Sequence, residues 1–116
     1  MIASGPDDEG AMIIRAWRGR ASRSRSDAYP KHFRMVVVPE LRAVPGFLGA
    51  QLCRRAEGDK VEFLVLTRWQ SMAAVRAFAG PTVDKAVVEP GAVAALDDFE
   101  DIVQHYEVLE EVLPAR

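Results

Sequence analysis

The chain has 116 residues, 49% of them hydrophobic and 28% charged, which is the size and composition of one globular domain. Its formal net charge of −2 argues against a general role in binding nucleic acid or a membrane surface, and no apolar run approaches the ~20 residues of a membrane span. The single cysteine, Cys53, excludes an intrachain disulfide, and with an N-terminal sequence unlike a signal peptide it predicts a cytoplasmic protein.

Residues 1–11 predict a flexible tail, because they combine glycine, proline and serine with a run of acidic residues. The first strand is predicted over 12–20, where side chains alternate between two faces. One of these faces carries Arg15 and Trp17, so a cation lies beside a large aromatic ring.

A first helix is predicted from Asp27, with Pro30 in its first turn, where a missing N–H costs little. Pro39 is expected to bend or end this helix and to push Val38 toward an extended conformation. The apolar residues at helical spacing form a buried stripe: Tyr29, Phe33, Val36, Val37 and Leu41.

The centre of the chain predicts a hairpin followed by a second helix. Strands are expected over 47–56 and 60–69, joined by a turn over 57–59. The second of these strands is apolar on both faces, which is typical of a central strand that is covered on both sides. Ser71 is placed to cap the start of the helix and Gly80 to close its end.

The C-terminal part of the sequence is less regular. A short helix is expected over 83–89, ended by Pro90, and a turn over 92–98. The last strand is predicted over 101–110, and residues 111–116 are expected to form a short tail.

The predicted order β-α-β-β-α-β is that of a ferredoxin-like α+β fold, with an antiparallel sheet of spatial order 4-1-3-2 and both helices on one face. Residues 12–110 are expected to form this domain. Since no helix would cover the opposite face of an apolar central strand, a second copy of the chain is expected there, giving a homodimer.

Four stretches of the sequence carry a family resemblance: MIIRAWRGR, PGFLGAQLCRR, EFLVLTRWQSMAAVRAFAG and HYEV. In this order they resemble the antibiotic biosynthesis monooxygenase-like family, over roughly residues 12–109. The resemblance implies a dimeric α+β barrel with a cavity between the sheet and the helices of each subunit. For the cofactor-independent oxygenases of that family it implies a polycyclic phenol or enol, which itself supplies the electrons for oxygen.

The resemblance extends to a heme-degrading branch, but two of its three landmark residues differ. Trp69 matches a tryptophan at the end of the third strand. Trp17 stands near the position of an asparagine, and Val87 near that of the heme-ligating histidine. Because a glycine-rich phosphate loop is also missing from the sequence, neither heme nor flavin nor any other cofactor is expected.

Four aromatic side chains are candidates for lining a pocket that takes a flat aromatic ligand. For each of them, packing in the core is the alternative. They are Trp17, Trp69, Tyr29 and Phe33.

Three polar residues are candidate catalytic groups: His105 as a base, Glu107 as its orienting partner, and Arg15 as the stabiliser of an anion. Strands one and four are neighbours in the predicted sheet, so these side chains are expected to meet. Two alternatives stay open, a salt bridge between Arg15 and Glu107 and a structural role for His105. His32 is expected to be exposed.

Metal and nucleophile sites are less well indicated. His105, Glu107 and His32 match an iron site of two histidines and one carboxylate in type, but nothing in their spacing requires it, and no metal is expected. A pair of Cys53 and His105 is disfavoured, because the predicted sheet separates their strands by about 14 Å. The leading hypothesis is therefore a cofactor-independent monooxygenase, and the rival is a non-catalytic ligand-binding or structural protein.

Overall fold

The computed structural model describes residues 11–115, which form an antiparallel sheet with helices packed on one face. The predicted tail over 1–11 lies outside the described residues, apart from Ala11. The long strands are β1 (Ile13–Ser22), β2 (Phe47–Glu57) and β3 (Lys60–Trp69).

Two short strands complete the sheet, β4 (Asp98–Phe99) and β5 (Gln104–Glu107). Strand β3 pairs with β2 on one side and with β1 on the other, and both short strands pair with the free side of β1. This order confirms the predicted ferredoxin-like α+β fold. The last strand is shorter than predicted over 101–110, because only Gln104–Glu107 continues the ladder of β1 after a break.

One continuous helical stretch connects β1 to β2. It consists of α1 (Ala28–His32), a π-helical segment over Phe33–Val37 that we call the π turn, and α2 (Val38–Arg42). Between β3 and β5 lie α3 (Met72–Ala79) and α4 (Pro90–Ala95). The predicted cap of α3 is confirmed, since the side chain of Ser71 accepts a hydrogen bond from the backbone N–H of Ala74 at 3.2 Å.

The expectation that Pro39 bends the helix and makes Val38 extended is wrong. Val38 is helical, with φ −59° and ψ −48°, and its N–H donates to the carbonyl of Phe33, five residues earlier. The wider π turn rearranges the carbonyls that the proline ring would otherwise meet, and Pro39 falls in the first turn of α2, where its missing N–H costs little.

The helix predicted over 83–89 is also wrong, because that segment has no regular structure. Pro90 begins α4 rather than ending a helix. Glu89 is extended, with ψ 160°, as a residue before proline prefers, and Pro90 takes the first helical position, for which its fixed φ is suited.

Helices α1 to α4 pack on the inner face of the sheet, which carries the odd-numbered residues of β1 and β3. Ile13 packs with Leu41 of α2 and Val75 of α3, and all three are almost fully buried. Phe63 packs with Tyr29 of α1 in a second cluster nearer α4. The helices are thus held against the sheet by apolar side chains on alternate strand positions.

The outer face of the sheet has no helix over it among residues 11–115. Leu64 and Leu66 lie there half-buried, and Tyr106 is 55% exposed. None of the helices described has the length and apolarity of a membrane span.

An ion-pair cluster around Arg20 occupies one end of this outer face. The Arg20 guanidinium lies 2.7 Å from a carboxylate oxygen of Asp98, 3.3 Å from Glu57 and 3.7 Å from Glu62. The hydrogen bond from Arg20, followed by that from Lys60, lowers the pKa of Asp98 below its ordinary value.

Candidate functional site

A cavity lies between the inner face of the sheet and the helices. Its empty space is about 540 Å³ when open solvent at its mouth is included, and its cavity volume is about 60 Å³. Because the larger figure includes open solvent, the smaller one is the volume to compare with known sites, and it lies below the roughly 300–1,000 Å³ of small-molecule sites. The smaller one shows a narrow interior, so a flat ring system would enter only with some movement of side chains.

Arg15 places a positive charge in the cavity wall, at the middle of β1. Arg15 is only 5% exposed and makes three hydrogen bonds: Nη1 donates to the carbonyl of Val83 at 2.8 Å and to Nε2 of His105 at 2.9 Å, and Nη2 donates to the carbonyl of Lys85 at 3.2 Å. Burial lowers the pKa of Arg15 to about 10, and the charge of Asp84 partly opposes this. The guanidinium therefore stays charged at neutral pH.

His105 forms a hydrogen bond with Arg15 but does not itself line the cavity. The two residues are direct neighbours in the β1–β5 register, as the predicted strand order implied. Because a guanidinium only donates hydrogen bonds, Nε2 of His105 accepts, and Nδ1 carries the proton toward the carboxylate of Asp84, 3.3 Å away. The His105 side chain is 4% exposed.

The expected role of Glu107 as the partner of His105 and Arg15 is not seen. Glu107 pairs with Ile13 in the register, one alternate position farther along β5. Two residues along a strand span about 7 Å, so Asp84, from the irregular segment after α3, takes the place beside His105.

Two of the four predicted aromatic residues line the cavity. Trp17 and Tyr29 have ring centres 5.8 Å apart, and Nε1 of Trp17 donates to the carbonyl of Glu100 at 2.7 Å. Phe78 of α3, which was not predicted, adds a third ring, and the guanidinium of Arg15 lies 5.8 Å from its centre.

Trp69 and Phe33 belong to the core instead. Trp69 is fully buried between Phe47 and Phe78, and its Nε1 donates to the hydroxyl of Thr67 at 2.8 Å. Phe33 is 7% exposed and packs among the apolar side chains around Tyr29. Trp69 and Phe33 therefore have the surroundings expected for the alternative, which was packing in the core.

His32 lines the cavity, contrary to the expectation that it is exposed. Its side chain is 10% exposed, and its Nε2 is buried without a hydrogen-bond partner in the described part of the chain. A carboxylate oxygen of Glu89, which also lines the cavity, lies 3.7 Å from this nitrogen. The i, i+3 spacing from Tyr29 could have indicated a shared helix face, but nothing in the sequence pointed to Glu89.

Glu89 affects the ionisation of two groups near it at this side of the cavity. A hydrogen bond with Glu89 raises the pKa of Glu40, and burial followed by the charge of Glu89 raises the pKa of Tyr29. Within residues 11–115 no three histidine, cysteine or acidic side chains are grouped so as to hold a metal ion. His32 and His105 are therefore not part of a common metal site in the described residues.

The fold and cavity define the class of protein as a ferredoxin-like α+β domain with a narrow, partly open cavity between its layers. A model of the family described as antibiotic biosynthesis monooxygenase matches residues 12–90, so the chain belongs to that family. No curated protein matches the chain.

Solved structures share the fold at low sequence identity. A Bacillus cereus protein assigned to the antibiotic biosynthesis monooxygenases is 18% identical, with a TM-score of 0.62 over 90% of this chain and 100% of its own. A heme-degrading protein from Mycobacterium tuberculosis is 23% identical, with a TM-score of 0.59 over 87% and 98%. SnoaB, a cofactor-independent oxygenase from Streptomyces nogalater, is 14% identical, with a TM-score of 0.54 over 90% and 99%.

The residue that this chain offers at the expected heme-ligand position does not fit an iron centre. Val87 lines the cavity, but a valine side chain has no atom that can bind iron. The cavity wall at that position is apolar.

Proposed function

We propose that this protein binds a planar aromatic molecule with an acidic hydroxyl group, a phenol or an enol, and oxidises it with molecular oxygen without a cofactor. The observation that carries the proposal is Arg15, a buried cation in an aromatic cavity. Family membership and a fold shared with a cofactor-independent oxygenase support it.

The charge balance around Arg15 favours an anionic ligand. Its three hydrogen bonds go to two carbonyls and a histidine nitrogen. Among residues 11–115 no carboxylate lies within ion-pair distance of it. A buried charge is normally paired, so a phenolate or enolate entering the cavity would supply the missing negative charge.

The aromatic rings provide the shape selection. Trp17, Tyr29 and Phe78 line the same cavity as Arg15 and come from three different elements, and a flat ligand would replace water against their faces. His105 has an indirect role in this proposal, since it holds Arg15 and is itself held by Asp84.

The reaction requires no external reductant. The substrate anion gives electrons to oxygen from a ring carbon conjugated with its hydroxyl group; one oxygen atom joins that carbon as a carbonyl, and the other leaves as water with the hydrogen of that carbon and the proton of the hydroxyl group. Arg15 stabilises the anion from which the electrons depart, and the cavity excludes water from it.

A non-catalytic ligand-binding protein is the second candidate. It is favoured by His105, the base predicted from the sequence, whose ring is 4% exposed between Arg15 and Asp84. Such a protein would bind the same aromatic anions without consuming oxygen.

Oxygen uptake with hydroxylated anthrones and naphthols, without added cofactor, tests the proposal. Arg15→Gln should lower the rate ~100-fold or more, the usual effect of removing an anion-stabilising donor. Arg18→Gln, on the outer face of the same strand, is the matched control and should retain the rate. Binding without oxygen uptake by the wild type would select the non-catalytic candidate, and equal rates in both variants would refute the role of Arg15.

We also infer a homodimer in the cytoplasm. The uncovered outer face, with Leu64, Leu66 and Tyr106, supports pairing with a second copy. The single, exposed Cys53 supports a reducing compartment.

A further inference from the structure

An unsatisfied nitrogen in the cavity wall has no part in the function proposed above. Nε2 of His32 is buried and has no hydrogen-bond partner among the described residues, although buried polar atoms are nearly always bonded. Since the side chain is 10% exposed and lines the cavity, a ligand in the cavity is the group positioned to satisfy it.

We propose that His32 is a catalytic residue that accepts the hydroxyl proton of the aromatic ligand. This inference rests on the proposed function, because it assumes a phenol or enol in the cavity. The sequence predicted the base to be His105, on β5, whereas this inference assigns the base to His32, on α1.

The position of the His32 ring is fixed from two sides. The ring centre of Tyr29 lies 5.9 Å away on the same helix. On the other side is Gly91 of α4, where an added Cβ would lie 2.8 Å from both Cε1 and Nδ1 of His32. The glycine therefore provides the space that the imidazole occupies, and a larger residue would displace the ring.

A carboxylate lies close enough to His32 to stabilise a positive charge on its imidazole ring. Oε1 of Glu89 lies 3.7 Å from Nε2, so an imidazolium at His32 would form an ion pair. Glu89 also raises the pKa of Glu40, which is exposed on the same helical stretch as His32. Tyr29 is the other titratable group beside the ring, and Arg15 is the cation that shares the cavity.

The step is a proton transfer, and it balances without a further reactant. The O–H bond of the ligand breaks and an N–H bond forms at Nε2 of His32. The ligand becomes an anion that Arg15 attracts, and His32 becomes a cation that Glu89 attracts. No electron moves in this step; oxygen enters only afterwards.

The probe for the test is 4-nitro-1-naphthol, because its anion and its neutral form absorb at different wavelengths. At equal pH the wild type should enrich the bound anion about tenfold or more over free probe, as charged partners within a few ångströms usually do. His32→Phe should bind the neutral probe but lose most of this enrichment, and Glu89→Gln should lose part of it. Lys31→Gln, a neighbouring exposed position, is the control and should match the wild type.

Gly91→Ala provides a second variant that keeps the imidazole and moves it. Its unfolding should remain a single cooperative transition, because alanine suits a helix even though the displaced ring lowers the stability, whereas the anion enrichment should fall. This variant decides the question if His32→Phe does not fold.

The outcomes separate the two proposals. If the probe binds and the anion enrichment is unchanged in both His32→Phe and Gly91→Ala, the proton acceptor is refuted and binding by Arg15 stands. If no phenol, naphthol or anthrone binds to the wild type, the proposed function fails, and this inference fails with it.

Discussion

Replacement of the two tryptophans tests where the ligand lies, because the sequence assigned both to the ligand site and the structure separates them. Trp69 is fully buried and bonded to Thr67, whereas Trp17 lines the cavity. Each Trp→Phe variant leaves a single tryptophan, since the chain contains two. The remaining indole then reports fluorescence from a known place.

Trp69→Phe should lower stability and leave ligand binding intact. Loss of part of a fully buried ring costs about 1–2 kcal/mol through the space left behind. Loss of the bond to the Thr67 hydroxyl adds about 1 kcal/mol. The sum, about 2–3 kcal/mol, corresponds at roughly 3–5 °C per kcal/mol to a melting temperature lower by about 6–15 °C.

The assay combines urea unfolding with quenching of tryptophan fluorescence by a naphthol. Trp69→Phe should retain quenching through Trp17, with a Kd within about threefold of the wild type. Trp17→Phe should lose most of the quenching, because Trp69 lies in the core. A folded Trp69→Phe protein that binds the naphthol more than about tenfold more weakly would show that Trp69 contacts the ligand, and would refute the reasoning.

Three further predictions concern assembly, heme and pH. Light scattering should give twice the chain mass for the wild type and the single mass for Leu66→Glu on the outer face; a wild-type monomer at micromolar concentration would contradict the homodimer. Hemin should produce no shift of its Soret band on mixing, and a shift that His32→Ala abolishes would instead reveal an iron ligand. The pKa of Asp98 is lowered in the folded state, so its stabilising effect is present above the ordinary carboxyl pKa and lost as the pH falls through the lowered value. Asp98→Asn should therefore reduce the free energy of unfolding at pH 7 and be neutral near pH 2, and an equal loss at both pH values would exclude the ion pair with Arg20 as its cause.

The elements that were predicted well are specified by neighbouring residues. The β2–β3 hairpin follows from two strand-like runs joined by the compact turn over 57–59, and the start of α3 follows from the change of period at Ser71. The meeting of Arg15 and His105 also followed, because strand order alone makes β1 and the last strand neighbours.

The elements that were missed depend on contacts distant in sequence or on unusual backbone. A proline inside a helix normally ends it, and nothing local to Pro39 indicates the π turn that accommodates it. Glu89 reaches His32 only because the irregular segment before α4 packs over the cavity. The candidate base was accordingly assigned to His105, which has the more regular strand environment.

The π turn has a geometric consequence for the cavity. His32 and Leu41, nine positions apart, both line it. In an uninterrupted α-helix, at ~100° per residue, they would point to opposite sides, ~180° apart. The extra residue held in the π turn absorbs about one such step and brings the two directions within ~80°. An ordinary α-helix that kept the same residues would restore the ~180° separation and turn one end away from the cavity, whereas deleting one residue between Phe33 and Val37 would keep the two directions within ~80°. The extra residue in the π turn therefore sets the angular phase that lets both ends of one helical stretch line the same site.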